Sequence, residues 1–404
     1  MENKIVVSDL RGAGRLAVDA TKGITDLVED MHYTISTIAG LLGKSDQNRT
    51  KGITGLVYRN IRTVSGLVGD VIDSALRQFE SIIGDREKEP NAGREAVIAA
   101  LNGVLGDHLA ASKNPLAIEM QLRRNGKPVS VEQDSFSMEI IKSGGKIALM
   151  IHGLCMNDLE WNRQGHDHGE ALARDLGYLP IYLNYNTGLH VSENGRLFSQ
   201  LMETFTRQLP RPIEIVIIAH SMGGLVSRSA IHYGKLAGHR WINHLSKIVF
   251  LGTPHHGAPL AQGGNWIDIL LTINPYSAPF ARLGKIRSSG LTDLRCGNLT
   301  DEDWNGQDRF CVSGDSRIPV PLPDGLQCYA IGTTIGDEDA CRLGEHIVGD
   351  GLVTLKSAMG LHDNPDMNLC LPSTHQWVGR KMNHMDLLKH PQVYQTIRQW
   401  LEKD

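Results

Sequence analysis

The chain has 404 residues, of which 41% are hydrophobic and 21% charged, with a formal net charge of -4. That balance is ordinary for a soluble globular protein, with length for two or three domains or, equally, for one large domain plus an extra segment. The small negative charge, with no long basic run, argues against a nucleic-acid partner held through phosphates.

The first residues, "MENKIVVSDLRGAGRLAVDA", contain no basic segment followed by an apolar core, so no secretory leader is expected. No uninterrupted apolar run of about 18 residues, the length of a spanning helix, occurs. The six cysteines are scattered without a CxxC pair and read as free thiols of a cytoplasmic protein. Cys296 and Cys311, which flank a loop-like stretch, are the pair to check for a disulfide. Peripheral attachment to a membrane or lipid surface is a second possible location.

Residues 1–112 read as an all-helical extension. Apolar positions recur at Leu27, Met31, Ile35, Ile38 and Leu42, then at Ile53, Val57, Ile61, Val64, Val68 and Val71. A shorter set follows at Val97, Leu101 and Val104. Steps of three and four place one apolar stripe on each helix. "TKGIT" occurs at Thr21–Thr25 and again at Thr50–Thr54, each followed by a Leu-Val pair, as in a duplicated helical hairpin. Its polar faces mix Glu29 and Asp30 with Arg59 and Arg62, unlike the basic face of a helix on anionic lipid. Packing on the rest of the chain, or contact in a homo-oligomer, is the expected role.

From residue 113 to 404 the pattern changes to that of an α/β domain. "LAIEMQLRRNGKPVSVE" carries an Asn-Gly turn between two extended runs, an antiparallel edge hairpin. Then "KIALMIHG", "YLPIYLNYN", "IEIVIIAHS", "KIVFLGTP" and "LQCYAIGTT" alternate with helix-like stretches. Such short Ile/Val/Leu runs suit strands buried on both faces of a mostly parallel sheet flanked by helices. In such a sheet the site lies beyond the carboxyl ends of the strands. Residues 259–326 are long for one crossover, and "NWIDILLTINPYSAPFARLG" within them is apolar enough to be a cap over a substrate channel.

Ser221 ends one of these strands, in "AHSMGG". A small residue two before and two after it, Ala219 and Gly223, suits a turn that holds a nucleophile between strand and helix. Acyl transfer needs two N–H donors for the oxyanion. The residue after the nucleophile, Met222, and the loop after His152-Gly153, at Leu154, are placed to supply them. Asp350 stands between glycines in "GDGLV", and His384 precedes a final amphipathic helix, completing the chain order Ser, Asp, His.

Other residues compete. Cys155 is a thiol near the oxyanion loop but lacks the strand–turn–helix setting, and Asp301 and Asp303 are rival acids before the last predicted strand. His220 is expected to pack behind the turn. His166 and His168 around Asp167 have metal-like spacing but no completing ligands. No cofactor or metal is expected.

Together "HGLCMND", "AHSMGGLVSR", "LGTPHHGAP", "GDGLV" and "NHMDLL" resemble the α/β-hydrolase superfamily, close to bacterial lipases and esterases and to GPI inositol-deacylase-like hydrolases. The resemblance covers about residues 115–404. It implies an α/β-hydrolase fold and hydrolysis of a small-molecule or lipid ester through an acyl-enzyme on Ser221, with Asp350 and His384 completing the triad. An acyltransferase with the same triad and a catalytically dead binding module are the alternatives. The resemblance also implies that His255 lines the substrate pocket, with His152 and Trp266 as further lining residues. Asp386 occupies a place similar to a calcium ligand of some bacterial lipases, which leaves calcium as a weak possibility.

Overall fold

The computed structural model describes residues 11–12, 14–15, 92–130, 134–209, 212–258, 288–306, 315–336 and 349–402. The two repeated N-terminal helices, Trp266, Cys311, Cys341 and most of the expected cap lie outside the described residues. The chain divides into two compact units, Met1–Glu89 with Leu109–Ala117, and Pro90–His108 with Ile118–Asp404. In the first, Asn114 Nδ2 donates to the carbonyl of Gly12 and Arg15 to that of Lys113.

The second unit holds an eight-stranded sheet. Its strands are β1 (Gln121–Arg124), β2 (Lys127–Pro128), β3 (Lys146–Ile151), β4 (Leu179–Asn184), β5 (Glu214–His220), β6 (Leu245–Leu251), β7 (Gln327–Thr334) and β8 (Gln376–Arg380). Their order across the sheet is β2-β1-β4-β3-β5-β6-β7-β8. The hairpin β1–β2 is antiparallel, β1 joins β4 antiparallel, and every pairing from β4 to β8 is parallel. The five predicted strand runs are β3 to β7, and the Asn-Gly hairpin is β1–β2. Pro180 sits in β4 without breaking it, because β1 reaches β4 only over Tyr182–Asn184. The missing N–H therefore falls on a stretch with a free side.

Strand β5 shows why these runs carry almost no polar residue. Ile215, Ile217 and Ala219 belong to one core, with Phe198 and Met202 of helix α4 (Val191–Arg207) and Leu225 and Val226 of α5 (Met222–Leu236). Val216 and Ile218 belong to the other, with Leu172 of α3 (His168–Leu176) and Val393, Ile397 and Trp400 of α8 (Pro391–Glu402). Both faces are covered, so every side chain from Ile215 to His220 is buried, which stabilises by roughly 1.5–3 kcal/mol per large aliphatic. Helices α2 (Asp134–Lys142), α6 (Ser289–Cys296) and α7 (Leu355–Ala358) complete the described set with α1 (Ala92–Ala111). None of the described helices is long and apolar enough to cross a membrane.

Two sequence expectations change. Of the stripe Val97, Leu101, Val104, the last two are buried as expected but Val97 is exposed, and Ala96, Ala99 and Ala100 share the buried face of α1. Close approach of backbone favours small side chains on that face. Strand β8 was absent from the pattern. It is a short edge strand in which Val378 is exposed and only Gly379 is fully buried, so neither alternation nor an apolar run marks it.

Candidate active site

Register brings the carboxyl ends of β3, β5 and β6 level, with Ile151 opposite Ala219 and His220 opposite Leu251. Ser221 follows β5 at once, with φ 54° and ψ -122°, and α5 starts at Met222. A non-glycine residue in that conformation is strained by about 1–3 kcal/mol. The turn is held by the Ser221 N–H donating to Leu251 O at 2.8 Å and by tight packing on either side. A Cβ on Gly223 would lie 2.5 Å from Ile151 O and 2.7 Å from His152 O.

The residues beyond β3 face the same point. Gly153 is so close that a Cβ there would be 3.0 Å from Ser221 Cβ. No described residue accepts from the N–H of Leu154 or of Met222, the latter being a first-turn helix N–H without an intrahelical acceptor. Met222 follows Ser221 directly, and Leu154 follows Gly153.

Asp350 and His384 come from the loops after β7 and β8. His384 Nδ1 lies 2.7 Å from Asp350 Oδ2, both side chains almost fully buried. The second carboxylate oxygen of Asp350 accepts the N–H groups of Leu352 (2.9 Å) and Val353 (2.8 Å). Both flanking glycines are needed. A Cβ on Gly349 would sit 1.7 Å from Val353 O, and Gly351 has φ 95°. On the other side, Asn383 caps the short turn His384–Leu388, and the His384 N–H donates to Asp350 O at 3.1 Å. With Nδ1–H given to the carboxylate, Nε2 carries the lone pair. That atom is buried and has no hydrogen-bond partner among the described residues, Ser221 Oγ included. Such bonds are often open until substrate binds.

His220 packs beside the pair, its ring centroid 4.7 Å from that of His384 and its Nε2 3.4 Å from His384 O. Burial, then the neighbouring His384, holds its pKa well below the usual histidine value, so it adds no charge there. His152 is fully buried at the end of β3, stacked on Tyr185 at 4.5 Å, and burial lowers its pKa to about 4. His255 is also buried but turns toward Arg228 Nη1 (3.3 Å) and the edge of Phe250.

The rival acids serve elsewhere. Asp301 pairs with Arg196 at 2.5 Å, and Asp303 accepts three backbone N–H groups, of Leu299, Thr300 and Ile318. The Cys155 thiol is pushed up by burial and stays protonated, unsuited to attack. His166 Nε2 meets His168 Nδ1 at 2.8 Å, and His168 Nε2 meets Leu387 O. Asp386 closes the cap of its own turn. Among the described residues, no group of three or more His, Cys, Asp or Glu is arranged to hold a metal ion. Sequence reasoning passed over the loop after β4. There Tyr185 Oη donates to His152 O (2.8 Å), and Thr187 Oγ1 accepts from Cys155 N (3.2 Å). Its only signal is small polar residues after a strand end, in "NYNTG".

Residues 144–310 match the family model of the PGAP1-like alpha/beta domain, a span that holds the loop after β3 and Ser221 but ends before Asp350 and His384. Among curated proteins, none matches the chain by sequence. Solved structures with a similar outline include the mature Bacillus licheniformis lipase BlEst2, at 16% identity and a TM-score of 0.42, covering 70% of this chain and 98% of that one. Aspergillus fumigatus lipase B is 11% identical at a TM-score of 0.38, covering 63% and 52%. Overlaps this loose say nothing about substrate. The parallel sheet and its strand–serine–helix turn give the chain an α/β-hydrolase fold, and residues 144–310 are similar to the PGAP1-like alpha/beta domain.

Proposed function

We propose that the protein is a serine carboxylic-ester hydrolase acting through an acyl-enzyme on Ser221. The observation that supports this is the buried Asp350–His384 pair, whose Nε2 has no partner among the described residues, together with the strained Ser221 turn directly after β5. In this reading His384 Nε2 takes the proton of the Ser221 hydroxyl as Oγ attacks the ester carbonyl. Asp350 keeps the Nδ1–H tautomer and stabilises the imidazolium. The N–H groups of Leu154 and Met222 hold the oxyanion, helped by the N-terminal end of α5. His384 then protonates the leaving alcohol, and water repeats the sequence on the acyl-enzyme to release the acid. An apolar acyl part is suggested by the sequence that follows β6, "NWIDILLTINPYSAPF".

The test is a fluorophosphonate probe on the full chain, with hydrolysis of p-nitrophenyl esters of short and long acyl chains. Labelling of the Ser221 peptide, absent in Ser221→Ala, together with turnover is expected. A wild-type chain that neither labels nor turns over would leave only a binding module. Product analysis with alcohol acceptors separates hydrolysis from acyl transfer to another alcohol.

A further inference from the structure

The loop after β3 is gripped at Cys155 by two other elements. Cys155, next after Leu154, adopts φ 59°, an uncommon conformation for a side-chain-bearing residue. Two partners meet it there. The Cys155 N–H donates to Thr187 Oγ1 at 3.2 Å, and Thr187 is itself buried in the loop after β4. From α1, Gly103 packs so closely that a Cβ on it would stand 2.2 Å from Cys155 Sγ, 3.0 Å from its Cα and 3.1 Å from its N. The thiol also points to Ala100 O, one turn earlier on α1, at 3.8 Å.

Helix α1 is in turn fastened to the loops around the site. Asn186 Nδ2 donates to Gly106 O at 2.9 Å, and Ser288 Oγ donates to Gly103 O at 2.7 Å. Ser289 binds the carboxylate of Asp107 through both its N–H and its hydroxyl. Peptide planarity makes this consequential. Anchoring the Cys155 N–H fixes the plane of the Leu154–Cys155 peptide, while Gly153 is fixed against Ser221. The direction of the Leu154 N–H between them is left little freedom.

We infer, resting on the acyl-enzyme reading of Ser221, that Thr187 and Gly103 are positioning residues that aim the Leu154 N–H at the oxyanion. Neither touches substrate. An oxyanion donor acts mainly in the transition state, so misaiming it lowers kcat more than it raises KM.

The experiment measures kcat, KM and melting temperature on the full chain with a p-nitrophenyl ester. Thr187→Val, which keeps the shape but loses the acceptor, should lower kcat about 10- to 100-fold with KM within about twofold. Thr187→Ser, which restores the hydroxyl, should recover most of the loss. Gly103→Ala should lower kcat likewise, and Cys155→Gly in the same chain should restore part of it by removing the clashing sulfur and the strained φ. Thr187→Val with wild-type kcat, or a loss in KM alone, overturns the inference. So does a Thr187→Val loss that Thr187→Ser shares in full. If Gly103→Ala does not fold, the Thr187 pair decides alone. Failure of the wild type to label with fluorophosphonate removes the functional reading, and this inference with it. Labelling and turnover with unaffected variants removes this inference only.

Discussion

Asp350 uses its two carboxylate oxygens for different tasks: Oδ2 receives His384 Nδ1 at 2.7 Å, while Oδ1 holds the N–H groups of Leu352 and Val353. The loop is therefore built around the acid through contacts that do not involve the histidine. Asp350→Asn can keep the Oδ1 bonds but offers an NH2 where His384 needs an acceptor. The imidazole then turns to the tautomer with hydrogen on Nε2, which cannot take the serine proton. A fall in kcat of about 10⁴-fold with an unchanged melting temperature is expected. Activity within tenfold of wild type would remove Asp350 from the triad.

Packing around the Ser221 turn has no room for a methyl group. In Gly223→Ala the new Cβ meets two backbone oxygens, Ile151 O and His152 O, which cannot rotate away. Overpacking of this kind costs about 1–3 kcal/mol. The urea midpoint should fall by the corresponding amount, and an unchanged midpoint would mean the two strand ends separate easily.

Glu203, on α4, is buried and accepts from Arg240 N (2.7 Å), Trp241 N (3.0 Å) and Arg207 Nε (2.9 Å). Glu203→Ala strips the acceptor from two backbone donors at the entry to β6. A loss of about 2–4 kcal/mol is expected, read by chemical denaturation. Residual esterase activity per folded molecule should be retained, since the site residues lie on other elements.

Several histidines are buried in the neutral form. Burial lowers His152 and His168 each to about 4, and His220 and His255 well below the ordinary value. In the unfolded chain each binds a proton below about pH 6.5, whereas the folded chain refuses it until about pH 4 or lower. The unfolded state therefore holds more protons across that window, and stability falls as the pH falls through it. Melting temperatures from pH 7.5 down to 4 should decline steadily. His168→Gln should lessen the slope; an identical slope would mean His168 is not among the groups responsible.

Much of the sheet was legible because its central strands are buried on both faces. Runs such as "IEIVIIAH" cannot be mistaken for amphipathic segments once both sides pack on helices. The edge strand β8 was not legible for the converse reason, since half-exposed backbone places few demands on side chains. Ser221, Asp350 and His384 were readable as candidates because each needs a local backbone device: a turn among small residues, a Gly-Asp-Gly loop and a capped turn before a helix. Thr187 left no such mark. Its part depends on a partner, Cys155, that comes from another loop.

The sequence by itself determined the strand runs, the tight turn at Ser221 and the glycines around Asp350, because these follow from burial and from φ and ψ at single positions. Only the tertiary structure decided which acid faces His384, that Asp303 is spent on backbone N–H groups, and that α1 lies against the loop after β3. Those outcomes depend on which distant segments return to the same strand ends, and a hydrogen bond reports its partner only after the chain has closed upon itself.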